Sequence, residues 1–146
     1  MHYETKKQIT VTVEDRPGML AYICKILADA KVNIRDVSTS DFRKQGMIRV
    51  IPDNPSVCEK AFRDAGLIPL TVEVIAVVVT DNPGSLATIT SALALCNIQI
   101  EYIYGTANPF NPLNLVSFFN WFTDRIRLIL KVSDIPETIR ILKNIK

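Results

Sequence analysis

The sequence predicts an α+β protein that uses one βαββαβ plan twice, and three observations lead there. Residues 15–20 read DRPGML and residues 81–86 read DNPGSL, each at the end of an apolar run. The spacing of 66 residues between Asp15 and Asp81 persists downstream, where Leu20, Ile23, Leu27, Val32 and Ile34 meet Leu86, Ile89, Leu93, Ile98 and Ile100. The shared positions recur at helical and then at strand spacing, which a chance hexapeptide would not bring with it.

In the first unit, 9–13 alternates apolar residues with threonine and reads as a strand. Residues 15–18 form a turn marked by Pro17 and Gly18. Positions 19, 20, 23, 26, 27 and 30 lay one apolar helix face. A second strand over 32–39 and a third over 47–51 flank the charged turn DFRKQG. Asp53, Asn54 and Pro55 open a second helix, with Pro suited to its first turn. Val57, Ala61, Phe62 and Ala65 carry its stripe, Gly66 stands at a helix C-terminus, and 70–74 reads as a fourth strand. That order is the ferredoxin-like split βαβ, an antiparallel sheet with two helices on one face.

The second unit repeats it from 74–80 through a helix to about Leu95, strands over 97–104 and 125–132, and a short helix from 134–136 carrying Ile139, Leu142 and Ile145. The expected domains are 1–73 and 74–146. Two differences stand out. Val50 and Leu130 stand 80 apart rather than 66, so 14 residues are inserted within about 105–123, where Phe110, Phe118, Phe119, Trp121 and Phe122 crowd together. After Leu142 only KNIK remains, so the second unit is expected to lack its last strand. Its first strand would then show an apolar edge, which invites pairing. A homodimer covering that edge, or a strand donated from elsewhere in the chain, is the expectation. The aromatic insertion is read as a contact with a partner subunit.

Composition narrows the function. The chain has 146 residues, 48% hydrophobic and 22% charged, enough for a core, and a net charge of +2 that gives no nucleic-acid footprint. Cys24, Cys58 and Cys96 are odd in number, widely spaced and without a CxxC pair, and His2 is the only histidine. No metal site and no disulfide framework is expected, and the thiols are read as buried or half-buried, with Cys24 in the core and Cys96 structural. The start MHYETKKQITVTV is polar and then alternates, unlike a signal peptide, and no apolar run is long enough to span a membrane, so the cytoplasm is the default. No Ser/His or Cys/His pair and no carboxylate pair points to catalysis, so no catalytic residue and no cofactor is expected. The third strand, MIRVI, lacks the aromatic signature of an RNA-recognition motif. Tyr102 and Tyr104 alternate on one strand face and are read as sheet packing.

A turn that enters a helix offers backbone N–H groups without intrahelical partners and the positive end of the helix dipole. A small carboxylate suits that place. Gly18 and Gly84 permit close backbone approach, Pro17 and Pro83 stiffen the entry, and Asp15 and Asp81 could receive an ammonium. The competing reading is a plain strand-to-helix turn capped by aspartate.

The order strand, D-x-P-G-x-L, apolar helix and a following strand resembles the ACT domain, a small-molecule regulatory module. The second strand opens with Lys31, Val32, Asn33 and Ile34 in one unit and with Asn97, Ile98, Gln99 and Ile100 in the other. The resemblance covers nearly the whole chain and is closest to stand-alone tandem ACT proteins, in which EYIYGTA at 101–107 also looks familiar. It implies a regulatory protein that binds an amino acid and acts allosterically on a partner. The alternative is a regulatory subunit of an amino-acid biosynthetic enzyme such as acetohydroxyacid synthase. The implied ligand residues are Asp15, Arg16, Pro17, Gly18, Met19, Leu20 and Asn33 in one unit, with Asp81, Asn82, Pro83, Gly84, Ser85, Leu86 and Gln99 in the other. Gln99 is one methylene longer than Asn33, and Ser85 offers a hydroxyl where Met19 cannot, so two unequal sites are expected.

Overall fold

The computed structural model describes residues 1–42, 44–107 and 125–145. The aromatic insertion and its expected subunit contact therefore lie outside the described residues. The elements are β1 (His2–Glu14), α1 (Met19–Asp29), β2 (Ile34–Phe42), β3 (Gln45–Pro52), α2 (Pro55–Asp64), β4 (Leu70–Thr80), α3 (Ser85–Leu95), β5 (Ile100–Ala107), β6 (Arg125–Val132) and α4 (Ile135–Asn144). They fall into two compact units, one of residues 6–73 and one of residues 1–5 together with 74–146. Each is an antiparallel ferredoxin-like unit, as the element order predicts.

In the first unit the strand order is β2-β3-β1-β4. β3 runs antiparallel to both neighbours, with Ile9 opposite Val50 and Glu14 opposite Gln45 on one side, and Val37 opposite Val50 on the other. Alternate residues of a strand share a face. Ile9, Val11 and Val13 of β1 and Ile48 and Val50 of β3 therefore point the same way, and they pack with Ile23 and Leu27 of α1 and Cys58 and Phe62 of α2. α2 begins as its sequence demands: the Asn54 side chain accepts from the Val57 N–H at 3.3 Å, and proline occupies the first turn. Past its end, Gly66 adopts φ +79°, and the Leu67 N–H returns to the Phe62 carbonyl at 2.9 Å.

In the second unit the order is β1-β4-β6-β5, with only residues 1–5 of β1 taking part. Ile75, Val77 and Val79 of β4 and Leu128, Leu130 and Val132 of β6 form the core with Ile89 and Leu93 of α3 and Ile141 and Leu142 of α4. Tyr3 packs against this cluster, and Glu4 meets Arg127 at 3.5 Å. The place of a last strand is thus filled by the chain's own N-terminal residues, the donated-strand alternative. The edge that argued for a second copy is covered. β4 likewise runs unbroken where the sequence suggested one strand ending at 74 and another beginning there. Its residues up to Glu73 belong to the first unit and the rest to the second.

Several side chains sit otherwise than the periodicity suggested. Cys24 is exposed, because one residue beyond Ile23 is turned about 100° around the helix, away from the core. Cys96, just past α3, is exposed too. Leu20 and Leu86 are both exposed at matching places in α1 and α3. In α2 the buried stripe is Cys58 and Phe62, while Val57 faces water. Burial, aided by the charge of Glu59, pushes the Cys58 thiol up to about 12. No helix among the described residues is long and apolar enough to cross a membrane.

Two predictions follow from packing. A thiol reagent at neutral pH should label Cys24 and Cys96 in the native protein, and label Cys58 only on unfolding. Rapid native labelling of three thiols would contradict this burial. Glu59 accepts a 2.6 Å hydrogen bond from the Thr71 hydroxyl and a further one from Arg63, and these hold its carboxyl below the ordinary value. A depressed carboxyl stabilises the fold above its unfolded pKa and loses that contribution as pH falls through the folded one. Thr71→Val should therefore lower the melting temperature at neutral pH more than at a pH well below the carboxylate range of about 4. An equal drop at both pH values would contradict it.

Candidate functional site

Both repeated phrases leave a long strand and enter a helix, and in both the glycine precedes the first helical residue with a left-handed backbone. Gly18 has φ +90° and Gly84 has φ +96°. A Cβ at either would meet nothing within 4 Å, so backbone conformation rather than close approach is what requires glycine. Neither helix has a side-chain cap, so the aspartate-capped turn is not what forms.

The two turns differ in their surroundings. In the first, Asp15, Arg16, Pro17 and Gly18 are exposed. Arg16 is bound by Glu14, Nε to Oε2, at 2.8 Å, and Met19 packs against the core beneath. In the second, Asp81, Asn82, Pro83 and Gly84 are again exposed. The Asn82 N–H donates to the Thr80 carbonyl at 2.9 Å and the Ser85 N–H to the Asn82 carbonyl at 3.1 Å, which fixes the turn. Beside it opens a cavity of about 460 Å³, lined by Val78, Val79 and Thr80 at the end of β4, Ser85 and Thr88 in the first turn of α3, Arg125 at the start of β6, Ile145 beyond α4, and Met1 and His2. All of these belong to the second unit. Ile126 through Leu130 pair with β4 in register, and Arg125 stands opposite Thr80, which carries its guanidinium to the mouth of the turn.

Of the residues singled out in the sequence, Ser85 lines this cavity. Asp81, Asn82, Pro83, Gly84 and Leu86 border it in sequence without lining it. Asn33 and Gln99 lie elsewhere. The Asn33 N–H donates to Asp53 Oδ1 at 3.0 Å, and the Gln99 N–H donates to Ser133 Oγ at 3.1 Å. Those contacts tie each to the far end of its sheet: β3 runs from Gln45, beside the first turn, to Pro52, beside Asn33. At roughly 3.3 Å per residue that is more than 20 Å away. Within one unit, then, the turn and the polar residue of the second strand are not brought together. Tyr102 and Tyr104 stand half-buried opposite Lys131 and Ile129.

Sequence reasoning missed Thr80, Thr88, Arg125 and His2. Three carried a signal. Thr80 directly precedes the phrase, Thr88 lies one helical turn beyond Ser85, and the spacing of 80 places Arg125 against the end of β4, as Gln45 stands against Glu14. His2 had none, because the polar start did not read as part of a strand.

The fold and this geometry can be set against known proteins. Protein BT0572 from Bacteroides thetaiotaomicron superimposes with a TM-score of 0.81 at 22% identity, over 97% of this chain and 88% of that one. The regulatory subunit of aspartate kinase from Thermus thermophilus, in its ligand-free form, does so with a TM-score of 0.66 at 15% identity, over 98% and 96%. Its counterpart from Thermus flavus gives 0.63 at 17% identity, over 97% and 94%. At these identities the likeness is one of fold. No curated protein matches the sequence. The family model described as an ACT domain pair matches residues 4–128, and the chain, with its two ferredoxin-like units and its twice-used turn, belongs to that family.

Proposed function

We propose that this chain is a regulatory protein without a catalytic step of its own, which binds an amino acid in the second unit and passes that occupancy to a partner. The observation that carries the reading is the cavity beside residues 81–86. Its volume of about 460 Å³ suits a small metabolite, and it gathers three hydroxyls, an imidazole and a guanidinium over an apolar floor. At the first turn Glu14 occupies Arg16, and Met19 fills the place that Ser85 leaves polar. We therefore assign the working site to Thr80, Ser85, Thr88 and Arg125, with residues 81–84 as its rim, and give residues 15–20 the lesser role. Ligand held between the start of α3 and the ends of β4 and β6 favours one arrangement of those elements over another, which is the physical content of the regulation.

A second reading makes the chain the dedicated subunit of one amino-acid biosynthetic enzyme. The fold likeness to regulatory subunits of aspartate kinase, spanning nearly the full length of both chains, favours that class of partner. Co-purification of one enzyme at fixed stoichiometry would distinguish it from a free-standing sensor acting in the cytoplasm. A homodimer remains part of the proposal, although the edge of β4 no longer calls for one.

A thermal-shift screen against the twenty amino acids tests the reading. A ligand that binds only the folded state raises stability by roughly 3 kcal/mol at a hundredfold excess over its Kd. The expected result is a clear rise with one chemical class, reduced by Ser85→Ala. A flat response to all twenty would contradict it.

A further inference from the structure

The same cavity has a charge bias. Its polar wall holds Arg125, His2 and the hydroxyls of Thr80, Ser85 and Thr88, and no carboxylate side chain is among the described residues that line it. Asp81, the acidic residue of the turn, is exposed outside that lining. Arg125 forms no ion pair among the described residues, whereas Arg127, two residues along the same strand, meets Glu4 at 3.5 Å. The corresponding positions of the first unit have the opposite character: Glu14 stands where Thr80 does, Gln45 where Arg125 does, Met19 where Ser85 does.

A site of this kind treats charges unequally. A guanidinium offers a planar fork that matches a carboxylate. An ammonium brought into the same cavity finds hydroxyl oxygens but no anion among the described lining residues, and it meets a like charge at Arg125. Resting on the reading that this cavity is the ligand site, we propose that its ligand is a small carboxylic acid of net negative charge, an acidic amino acid or a dicarboxylate. One carboxylate is taken by Arg125, and the second is served by His2 and the hydroxyls of Thr80 and Ser85, since the Thr88 hydroxyl already donates to the Gly84 carbonyl at 3.1 Å.

Isothermal titration of the full chain at low ionic strength tests this with L-glutamate, glutarate, L-leucine, L-lysine and inorganic phosphate. Glutamate or glutarate should bind most tightly. Arg125→Gln should weaken that binding by about tenfold or more, as loss of a charge-assisted hydrogen bond does. His2→Gln should weaken it less. Lys25→Gln, which removes an exposed charge of the first unit, should leave it unchanged. Arg125 is exposed, so its variant should keep the unliganded melting temperature. Tighter binding of leucine or lysine would overturn the charge inference and leave the amino-acid site standing. Equal binding of phosphate, or equal weakening by Lys25→Gln, would reduce the effect to general anion attraction and overturn it. Binding of none of these, nor of any other amino acid, would overturn both the inference and the site.

Discussion

A strand at the edge of a sheet leaves a row of backbone N–H and C=O groups without partners, and a fold must cover that row or suffer association through it. This chain meets the constraint with two strands longer than one unit needs. β1 runs for 13 residues and β4 for 11. The first five residues of the chain and the end of β4 build the second unit, while the remainder of β1 and the start of β4 build the first. Residues 1–5 thereby supply the strand beside β4 in the second unit.

The site depends on that arrangement. Met1 and His2 wall the cavity only because residues 1–5 lie in the second unit. The first unit receives its fourth strand in the ordinary way and gains no such wall. Its turn is also self-neutralised by Glu14 and Arg16 and backed by the partly buried Met19. Two copies of one phrase thus end in different chemistry. The phrase fixes a backbone shape, set by glycine at positive φ, and the side chains around it decide whether that shape becomes a binding site.

Much of this was legible in the sequence. The order of elements, the helix starts at Asn54 and Asp134 and the glycine at 66 were all readable, since each rests on local chemistry within a few residues. Adjacent positions on a helix were harder. Cys24 against Ile23, and Val57 against Cys58, differ by a turn of about 100°, and hydrophobicity alone does not choose between them. The donated strand was readable only as one of two alternatives, because HYETKKQ alternates weakly and its pairing is made with residues some seventy positions away. The site divided along the same line. Ser85, inside the motif, lines the cavity. Arg125 and His2 reach the cavity through strand register, and no local pattern announces that.

The central claim is that residues 2–5 are a working strand of the second unit. Amide hydrogen exchange on the intact protein tests it most directly, since exchange measures the opening free energy of each hydrogen-bonded segment. The account predicts that amides within residues 2–5 are protected alongside those of 75–80, well above the rate of an unstructured chain. Exchange of residues 2–5 at the unstructured rate, with 75–80 and 126–130 still protected, would contradict it.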